Sequence, residues 1–373
     1  MSSILVLGGT GEMGSVAVTD LAQRTDHDIA IADPRVEDAR ALLRRLGRPE
    51  QVYRLDVSDD TRLVEVMAGH DLVLNTTLMR YTLAVTDAAI AARVHLVDLG
   101  SYYDDTLAQL ERNAAAEEAG CRIVPGCGVA PGLTNVLAAL GAGDLDHVTG
   151  VRMYSYITHP MYTSPGIVVT RFDASTGRSV ILRDGSLVER PSFGDHETIE
   201  FAEPYGAQQV HLVPHPEVVT LPRYLDGVRD VVFKVGYPAE ENNRIATLLS
   251  LGFDSDEPFD VDGHSISPRR FAAAYIGRRG LAPTERSANV KKVLVDGVAG
   301  GLDTTVRYDF AVENSGRSAS ATITGTVAAI AADMVTAPSA PGVRAPESAL
   351  DPNDFLDRLA ERGLEVSASK ATE

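Results

Sequence analysis

A glycine-rich turn near the start of the chain constrains its fold most. A short apolar run, residues 3–7, is followed by Gly9, Thr10, Gly11, Glu12, Met13 and Gly14, which have the spacing Gly-x-Gly-x-x-Gly. A helical pattern then covers residues 15–24. A strand, this turn and a helix are typical of a dinucleotide site, because Gly9 and Gly11 let backbone amides approach a pyrophosphate and Gly14 lets the helix pack on the strand.

An acidic residue follows at the distance that such a site requires. A second apolar run, residues 27–32, ends in Asp33, about 20 residues beyond Gly14, which is the spacing of the acid that binds the adenosine ribose 2′-hydroxyl. Since a carboxylate repels the 2′-phosphate of NADP, we expect NAD as the cofactor. Arg35 keeps NADP open as the alternative, because its guanidinium can meet a 2′-phosphate, stack on adenine or point into water. A ligand-free glycine corner is a further alternative.

Length and composition set broad limits on the class of protein. A chain of 373 residues exceeds the usual size of one hydrophobic core, so we expect two domains. The net charge of −18 disfavours nucleic acid and anionic membranes as partners. We find neither a stretch of about 18 apolar residues nor a basic leader, and predict a cytoplasmic protein. Cys121 and Cys127 are too few for a four-ligand zinc site, so no metal is expected. Cys127 either packs or lines the active site.

The first third of the chain alternates apolar runs with helical segments, which predicts an α/β fold with a doubly wound parallel sheet. Runs at 52–57, 72–75, 95–99 and 122–125 follow the first two, with helices at 36–46, 60–68, 82–92 and 107–119. The carboxyl ends of parallel strands share one rim, where ligands bind. The residues that this places along the rim are Asp56, Val57, Asn75, Thr76, Thr77, Asp98, Leu99, Gly100, Ser101, Gly126, Cys127 and Gly128.

Beyond Gly132 the pattern changes. Strand-like runs at 151–156, 231–235, 291–295 and 305–310 are separated by longer loops, which favours a second domain on an open mixed sheet. Lys234 and the pair Lys291-Lys292 are interpreted as exposed strand residues. Helices are predicted at 321–335 and about 354–362, and the polar tail after Glu365 is expected to fray.

A second glycine motif suggests the family. Gly126-Cys127-Gly128-Val129-Ala130-Pro131-Gly132-Leu133-Thr134-Asn135 directly follows a strand, and Val97-Asp98-Leu99-Gly100 precedes it. Together with the first motif, these residues resemble the saccharopine dehydrogenase family, most of all its lysine 6-dehydrogenase branch. Residues 181–185 and 342–347 extend the resemblance over nearly the whole chain.

The resemblance implies a Rossmann domain of residues 1–131 and 318–373 with an inserted α+β substrate and dimerisation domain, 132–317. It also implies a homodimer and the oxidation or reduction of an amino acid or amine at a carbon–nitrogen bond with a nicotinamide cofactor. The expected cofactor residues are Gly9, Thr10, Gly11, Glu12, Met13, Gly14, Asp33, Arg35, Asp56, Val57, Asn75, Thr76, Gly128, Val129 and Pro131, the last three against the nicotinamide.

Such chemistry needs a proton acceptor, because hydride leaves an amine carbon only when the nitrogen lone pair is free. His159 and His211 are candidate bases, with an ordinary loop hydrogen bond as the alternative for each. Asp98 is the third catalytic candidate, or else holds a turn. Tyr102 is a candidate for a substrate hydrogen bond and Arg171 for a substrate carboxylate, against packing and an exposed ion pair respectively. Further carboxylate anchors are Arg152 and Arg223.

Three functions are therefore compatible with the sequence. The first is oxidative deamination of an amino acid or amine through an iminium. The second is the reverse type of reaction, reductive joining of an amine to a carbonyl compound, as in saccharopine and carboxynorspermidine enzymes. The third is a nucleotide-binding sensor without turnover.

Overall fold

The computed structural model describes residues 1–100, 102–158, 165–279, 287–314 and 318–372, and these form two large sheets with helices packed around them. The strands in chain order are β1 (Ser3–Leu7), β2 (Asp28–Ala32), β3 (Val52–Tyr53), β4 (Leu72–Asn75), β5 (His95–Asp98), β6 (Arg122–Val124), β7 (His147–Ile157), β8 (Arg178–Arg183), β9 (Ser186–Pro191), β10 (Glu197–Glu200), β11 (Ala207–Leu212), β12 (Asp230–Gly236), β13 (Phe259–Val261), β14 (His264–Ile266), β15 (Ser287–Ala299), β16 (Leu302–Asn314), β17 (Gly342–Val343) and β18 (Val366–Thr372).

The helices surround both sheets. They are α1 (Glu12–Arg24), α2 (Val36–Arg45), α3 (Asp60–Met67), α4 (Thr82–Ala92), α5 (Tyr103–Glu111), α6 (Asn113–Ala119), α7 (Leu133–Gly143), α8 (Pro165–Ser175), α9 (Glu217–Tyr224), α10 (Ala239–Ser250), α11 (Pro268–Arg279), α12 (Ala319–Thr336), α13 (Pro346–Ala349) and α14 (Pro352–Ala360), with a 3₁₀ turn at Met79–Tyr81.

The first sheet has the order β17-β6-β5-β4-β1-β2-β3, and all its pairings are parallel. Its strands are nearly continuous apolar runs because helices cover both faces; residues 4–7 of β1, for example, are fully buried. The strand order changes direction between β1 and β4, which is the position where such sheets bind ligands. The predicted Rossmann-like sheet is confirmed, and β17 adds an edge strand that the sequence did not indicate.

The second sheet is mixed, as predicted. β7 lies near its centre, parallel to β12 and antiparallel to β15, and the long hairpin β15–β16 turns at Gly300-Gly301. The path β10-β11-β12-β7-β15-β16-β18 is extended by β8 and β9 beside β12. The division of the chain at 131/132 and 317/318 stays a prediction, and the last strand, β18, belongs to this second sheet.

Helix α12 packs against α1 at one end of the cleft described below. At Gly325 an added Cβ would lie 2.5 Å from the carbonyl oxygen of Met13, so the two helices approach closely. By length and composition α12 is also apolar enough to cross a membrane, contrary to the sequence prediction that no such stretch exists. Inside the protein 67% of this helix is buried, and it is part of the main core.

Two sequence expectations are wrong in this part of the molecule. The tail after Glu365 does not fray, because β18 pairs with β16 from Val366 to Thr372. Lys234 is not exposed to solvent, since only 5% of it is accessible and its ammonium lies 2.9 Å from Glu197 and 3.2 Å from Asp195. Both errors concern polar residues that meet partners distant in sequence.

Candidate functional site

A cleft of about 440 Å³ lies between the two sheets. One wall is built from the loops that follow β1, β4, β5 and β6 at the carboxyl rim of the first sheet. The opposite wall is the face of the second sheet formed by β12, β7 and β15. We call these the nucleotide wall and the substrate wall, after the roles that the sequence analysis predicts for them. The N-terminal end of α12 closes the cleft with Ser320 and Thr324.

The glycine-rich turn forms the first part of the nucleotide wall through Gly11, Glu12 and Met13. Gly14 lies behind it, where an added Cβ would meet the Gly8 carbonyl oxygen and would lie 2.5 Å from Thr76 Oγ1. The absence of a side chain therefore allows α1 to begin directly against the loop after β4. Gly11, at the start of α1, exposes the amide-rich end that favours phosphate groups.

Asp33, the acid expected at the ribose hydroxyl, is buried directly after β2. Only 2% of its side chain is exposed, and one carboxylate oxygen accepts hydrogen bonds from the Thr10 amide (3.1 Å) and hydroxyl (2.6 Å). The other oxygen accepts from the Arg35 amide at 2.9 Å and lies 3.5 Å from its guanidinium. Both oxygens are thus engaged by the protein, while the Arg35 side chain is 56% exposed at the same strand end.

The other rim residues hold the loops in place. Asn75 accepts hydrogen bonds from the Thr77 amide and hydroxyl, and Thr76 donates to the Leu7 carbonyl at 2.7 Å. Asp56 is exposed and accepts from the Ser58 amide and hydroxyl, which lowers the pKa of its carboxyl. Val57 is half-buried beside it. Of these residues, Thr76 and Thr77 line the cleft.

The second glycine loop completes the nucleotide wall with Gly128, Val129 and Pro131. At Gly132 the φ angle is +125°, and an added Cβ would collide with the backbone of Gly128, so only glycine closes this loop before α7. Asp98 fastens the loop to β5, because one carboxylate oxygen accepts from the amides of Gly100 (2.7 Å) and Gly126 (2.9 Å).

Asp98 itself lies below the cleft surface. Its second carboxylate oxygen accepts from Gln109 at 2.6 Å, and only 2% of the residue is exposed. Burial raises the pKa of its carboxyl above the usual range. Cys127 is fully buried in the same loop and does not line the cleft, which agrees with packing.

The substrate wall carries a buried lysine. Neighbouring strands place Val235, Ser155 and Lys291 in one row across the sheet. The Lys291 ammonium donates to Ser155 Oγ and to Asn289 Oδ1, the latter at 2.7 Å. Only 2% of the residue is exposed, and burial lowers the pKa of its ammonium to about 7, partly offset by the charge of Glu217. The expectation of an exposed lysine at a strand start is wrong. Lys292 is also buried and donates to the Glu200 carbonyl.

A histidine and a glutamate stand beside this row. His215 lines the cleft, and its Nδ1 lies 2.5 Å from Oε2 of Glu217. Glu217 is fully buried at the start of α9, and its other oxygen accepts from the Thr134 hydroxyl at 2.9 Å. The His215 ring stacks on Phe233 of β12 with centroids 3.7 Å apart and planes within 11°. Its position is therefore fixed on two sides.

Comparison with family models decides the family. Residues 4–124 match the saccharopine dehydrogenase NADP binding domain, and residues 128–364 match the saccharopine dehydrogenase C-terminal domain. The chain belongs to the saccharopine dehydrogenase family. The sequence resemblance is confirmed at that level, and the protein is a dehydrogenase with a nicotinamide-dinucleotide domain.

Curated relatives in the saccharopine dehydrogenase family are distant. The carboxyaminopropylagmatine dehydrogenase of Synechocystis sp. is 24% identical over 98% of this chain and 96% of the relative. The L-glutamate-forming, NADP⁺ saccharopine dehydrogenase of Schizosaccharomyces pombe is 28% identical, but the match covers 43% of this chain and 34% of the relative. The apo saccharopine dehydrogenase of Saccharomyces cerevisiae shares the fold, with a TM-score of 0.75, 16% identity and full coverage of both chains.

Within this member of the saccharopine dehydrogenase family, few of the predicted catalytic and substrate residues reach the cleft. Tyr102 does, and its buried hydroxyl, whose pKa burial raises, has no hydrogen-bond partner among the described residues. Arg171 lies behind the cleft, with its guanidinium carbon 3.7 Å from the centroid of Tyr237, which does line it. His211 is buried nearby; burial and the charge of Arg171 lower the pKa of its ring to about 3. His159 lies outside the described residues.

The other two arginines predicted to bind a substrate carboxylate do not reach the cleft either. Arg152 pairs with Asp296 at 2.8 Å on the second sheet and does not line the cleft, and neither does Arg223. The sequence analysis missed His215, Glu217 and Lys291. Signals for them existed: His215 stands between two prolines with Glu217 two residues on, and Lys291 interrupts an apolar strand.

Proposed function

We propose that this protein is an NADP-dependent oxidoreductase that breaks or forms a carbon–nitrogen bond between an amine and a carbonyl compound. One observation carries the proposal. The two glycine loops expected to hold the dinucleotide form one wall of a cleft whose opposite wall presents His215 and Lys291. A hydride acceptor on one side and proton-transfer groups on the other are what amine oxidation requires.

Oxidation of a carbon–nitrogen bond requires a nitrogen that has lost its extra proton. A bound nicotinamide would supply the hydride acceptor, and an iminium forms on the substrate only if the nitrogen lone pair is free. An ammonium substrate must therefore lose a proton within the cleft, and the iminium must then take up water to release amine and carbonyl compound. The mostly apolar lining, including Ile157, Val213 and Phe233, strengthens the charge interactions of the few ionisable groups present.

The contacts of Asp33 favour NADP over NAD. A carboxylate selects NAD by accepting a hydrogen bond from the ribose hydroxyl and repelling a 2′-phosphate. Asp33 is buried and fully engaged by Thr10 and Arg35, whereas the Arg35 guanidinium is exposed at the strand end. This arrangement supports a 2′-phosphate contact, so the proposal departs from the NAD expected from the sequence.

The relatives support secondary amines as the substrate class. The relative matched over nearly its full length is named for carboxyaminopropylagmatine, and others are named for saccharopine. Oxidative deamination of lysine, as in the lysine 6-dehydrogenase branch, is the second candidate and remains a sequence prediction. A cytoplasmic homodimer without nucleic acid or membrane partners belongs to the same proposal.

The test is absorbance at the reduced-nicotinamide band. Purified protein is assayed in one direction with NADP⁺ and saccharopine, lysine or diamines, and in the other with NADPH, an amine and a keto acid or aldehyde. We expect NADPH consumption that requires both the amine and the carbonyl compound. Reduction of NADP⁺ by lysine alone would move the assignment to the second candidate. NADPH binding without turnover in either direction would contradict the proposal and favour the sensor.

A further inference from the structure

The arrangement of His215, Glu217 and Thr134 points to a dedicated proton-transfer device, in which His215 Nε2 exchanges a proton with the substrate nitrogen and Glu217 acts as the positioning residue. We infer this from contacts on the substrate wall, and it rests on the proposed function. The sequence expectations placed this role on other residues, His159, His211 and Asp98.

The hydrogen bonds give the imidazole one orientation. Nδ1 lies 2.5 Å from Glu217 Oε2, so Nδ1 carries the proton or shares it with the carboxylate. Stacking on Phe233 prevents the ring from turning out of this plane. The remaining ring nitrogen, Nε2, has no hydrogen-bond partner among the described residues, and the residue borders the cleft. A free Nε2 is the form that a base needs.

Thr134 connects this pair to the nucleotide wall. It is the second residue of α7, which begins immediately after Gly132 of the second glycine loop. Its hydroxyl donates to Glu217 Oε1, so both carboxylate oxygens have partners although the residue is fully buried. The loop expected against the nicotinamide and the proposed base are therefore held at a fixed separation by two consecutive hydrogen bonds.

The charges around His215 come from Glu217 on α9 and from two other elements, β15 and α13. The ammonium of Lys291 on β15 interacts electrostatically with Glu217. Glu347 at the start of α13 is buried, accepts from Asn135 at 2.9 Å, and burial raises the pKa of its carboxyl to about 7. Of these two buried carboxyl groups, Glu217 is the one in hydrogen-bond contact with His215. The imidazolium formed in the reaction thus has a buried counter-charge.

The proton and electron balance is complete with the cofactor named above. The substrate ammonium gives one proton to Nε2 and becomes a neutral amine. Its C–H bond breaks with both electrons moving as hydride to NADP⁺, which leaves an iminium. Water adds to the iminium carbon and loses one proton to solvent, which leaves a carbinolamine. His215 returns its proton to the nitrogen, the carbon–nitrogen bond breaks, and the remaining hydroxyl proton passes to the departing amine as the carbonyl group forms.

The first experiment compares His215→Asn with His264→Asn, which makes the same change at an exposed histidine of the hairpin β13–β14. We expect kcat of the first variant to fall by about 10² to 10⁴-fold, the usual range for loss of a general base, with NADPH affinity within about twofold of wild type. The second variant should match wild type. Wild-type kcat in His215→Asn would overturn the inference.

Glu217→Gln tests the positioning role. A neutral partner stabilises the imidazolium less, so in the direction of NADP⁺ reduction, where His215 acts as the base, the acid limb of the pH–rate profile should move to lower pH by about one unit. A merely structural role would lower kcat without moving that limb. Side-chain ¹⁵N NMR of the histidines in the cofactor complex gives a readout without turnover, because it shows which ring nitrogen of His215 carries the proton. The proton should lie on Nδ1 in wild type and be shared between the two nitrogens in Glu217→Gln. A wild-type ring with its proton on Nε2 would overturn the inference, whereas absent wild-type turnover would overturn only the proposed function.

Discussion

The two walls of the cleft are built in different ways. The nucleotide wall uses backbone amides and glycines from short loops, each loop following its strand directly in sequence. The substrate wall instead brings together Ser155, His215 and Lys291 from β7, the loop before α9, and β15. The first wall is local in sequence, and the second depends on the pairing of distant strands.

This difference determines which substitutions each wall tolerates. Backbone groups on the nucleotide wall are fixed by close approach, as at Gly14 and Gly132, so a single added side chain displaces the loop. Side chains on the substrate wall are fixed by one another, through hydrogen bonds and stacking. We therefore expect substitutions on the nucleotide wall to weaken cofactor binding, and substitutions on the substrate wall to change stability or proton transfer while cofactor affinity is kept.

The largest effect is expected at Gly14. In Gly14→Val the new side chain would collide with the Gly8 carbonyl and Thr76, which forces α1 away from the loop after β4. We expect NADPH affinity to fall at least about 100-fold and stability by roughly 3 kcal/mol, the upper range for overpacking. Fluorescence titration of NADPH and urea unfolding measure the two. Gly69→Val, at a glycine with open space around it, is the control and should change neither.

The next-largest effect is expected on stability, at Lys291 of the substrate wall. Burial lowers the pKa of its ammonium from the usual 10.5 to about 7. Below pH 7 the lysine is charged in the folded and the unfolded chain, so the burial cost is fully present. Between pH 7 and 10.5 the unfolded chain binds the additional proton, and wild-type stability rises with pH.

Lys291→Met should therefore be more stable than wild type at pH 6, by about 2 kcal/mol. The gain should shrink as the pH rises from 7 towards 10, while NADPH affinity stays unchanged. Urea unfolding at pH 6, 8 and 10 measures it. A stability difference that is the same at all three pH values would show that the ammonium is not the cause.

The sequence predicted the nucleotide wall because its signals are local. Glycine spacing and apolar runs located β1, α1 and the loop from Gly126 to Gly132 without any knowledge of tertiary contacts. Both sheets and the family follow from these patterns and are confirmed. The contacts of Asp33 did not follow, because hydrogen bonds from Thr10 and Arg35 depend on side-chain orientation rather than spacing.

The substrate wall was less accessible to sequence reasoning. Lys234 and Lys291 look like solvent-facing positions until β12, β7 and β15 are paired, when both become buried. Glu217 becomes the partner of His215 only because α7 places Thr134 beside it, 83 residues away in the chain. Residue type alone also favoured Arg171, whose guanidinium packs on the Tyr237 ring behind the cleft.

Arg35 provides a smaller test on the nucleotide wall. If its exposed guanidinium contacts the 2′-phosphate, Arg35→Ser should weaken NADPH binding about tenfold, the equivalent of one charge-assisted hydrogen bond, and leave NADH affinity unchanged. Arg40→Ser removes an exposed arginine that pairs with Glu37 on α2 and serves as control. Equal weakening of NADPH and NADH in Arg35→Ser would mean adenine stacking instead, and no change at all would leave Arg35 in solvent.

The smallest effect is expected from removing an edge strand of the second sheet that lies away from the cleft. Deleting the residues after Glu365 removes β18, an edge strand whose side chains are exposed except for a half-buried Val366. The pairing with β16 is lost, but neither wall is touched, so we expect a stability loss of about 1 kcal/mol, a Tm lower by about 2 °C and unchanged NADPH affinity. Calorimetry of the shortened chain measures this. An unchanged Tm would favour a frayed tail, and reduced NADPH affinity would show that the two walls are coupled through the second sheet.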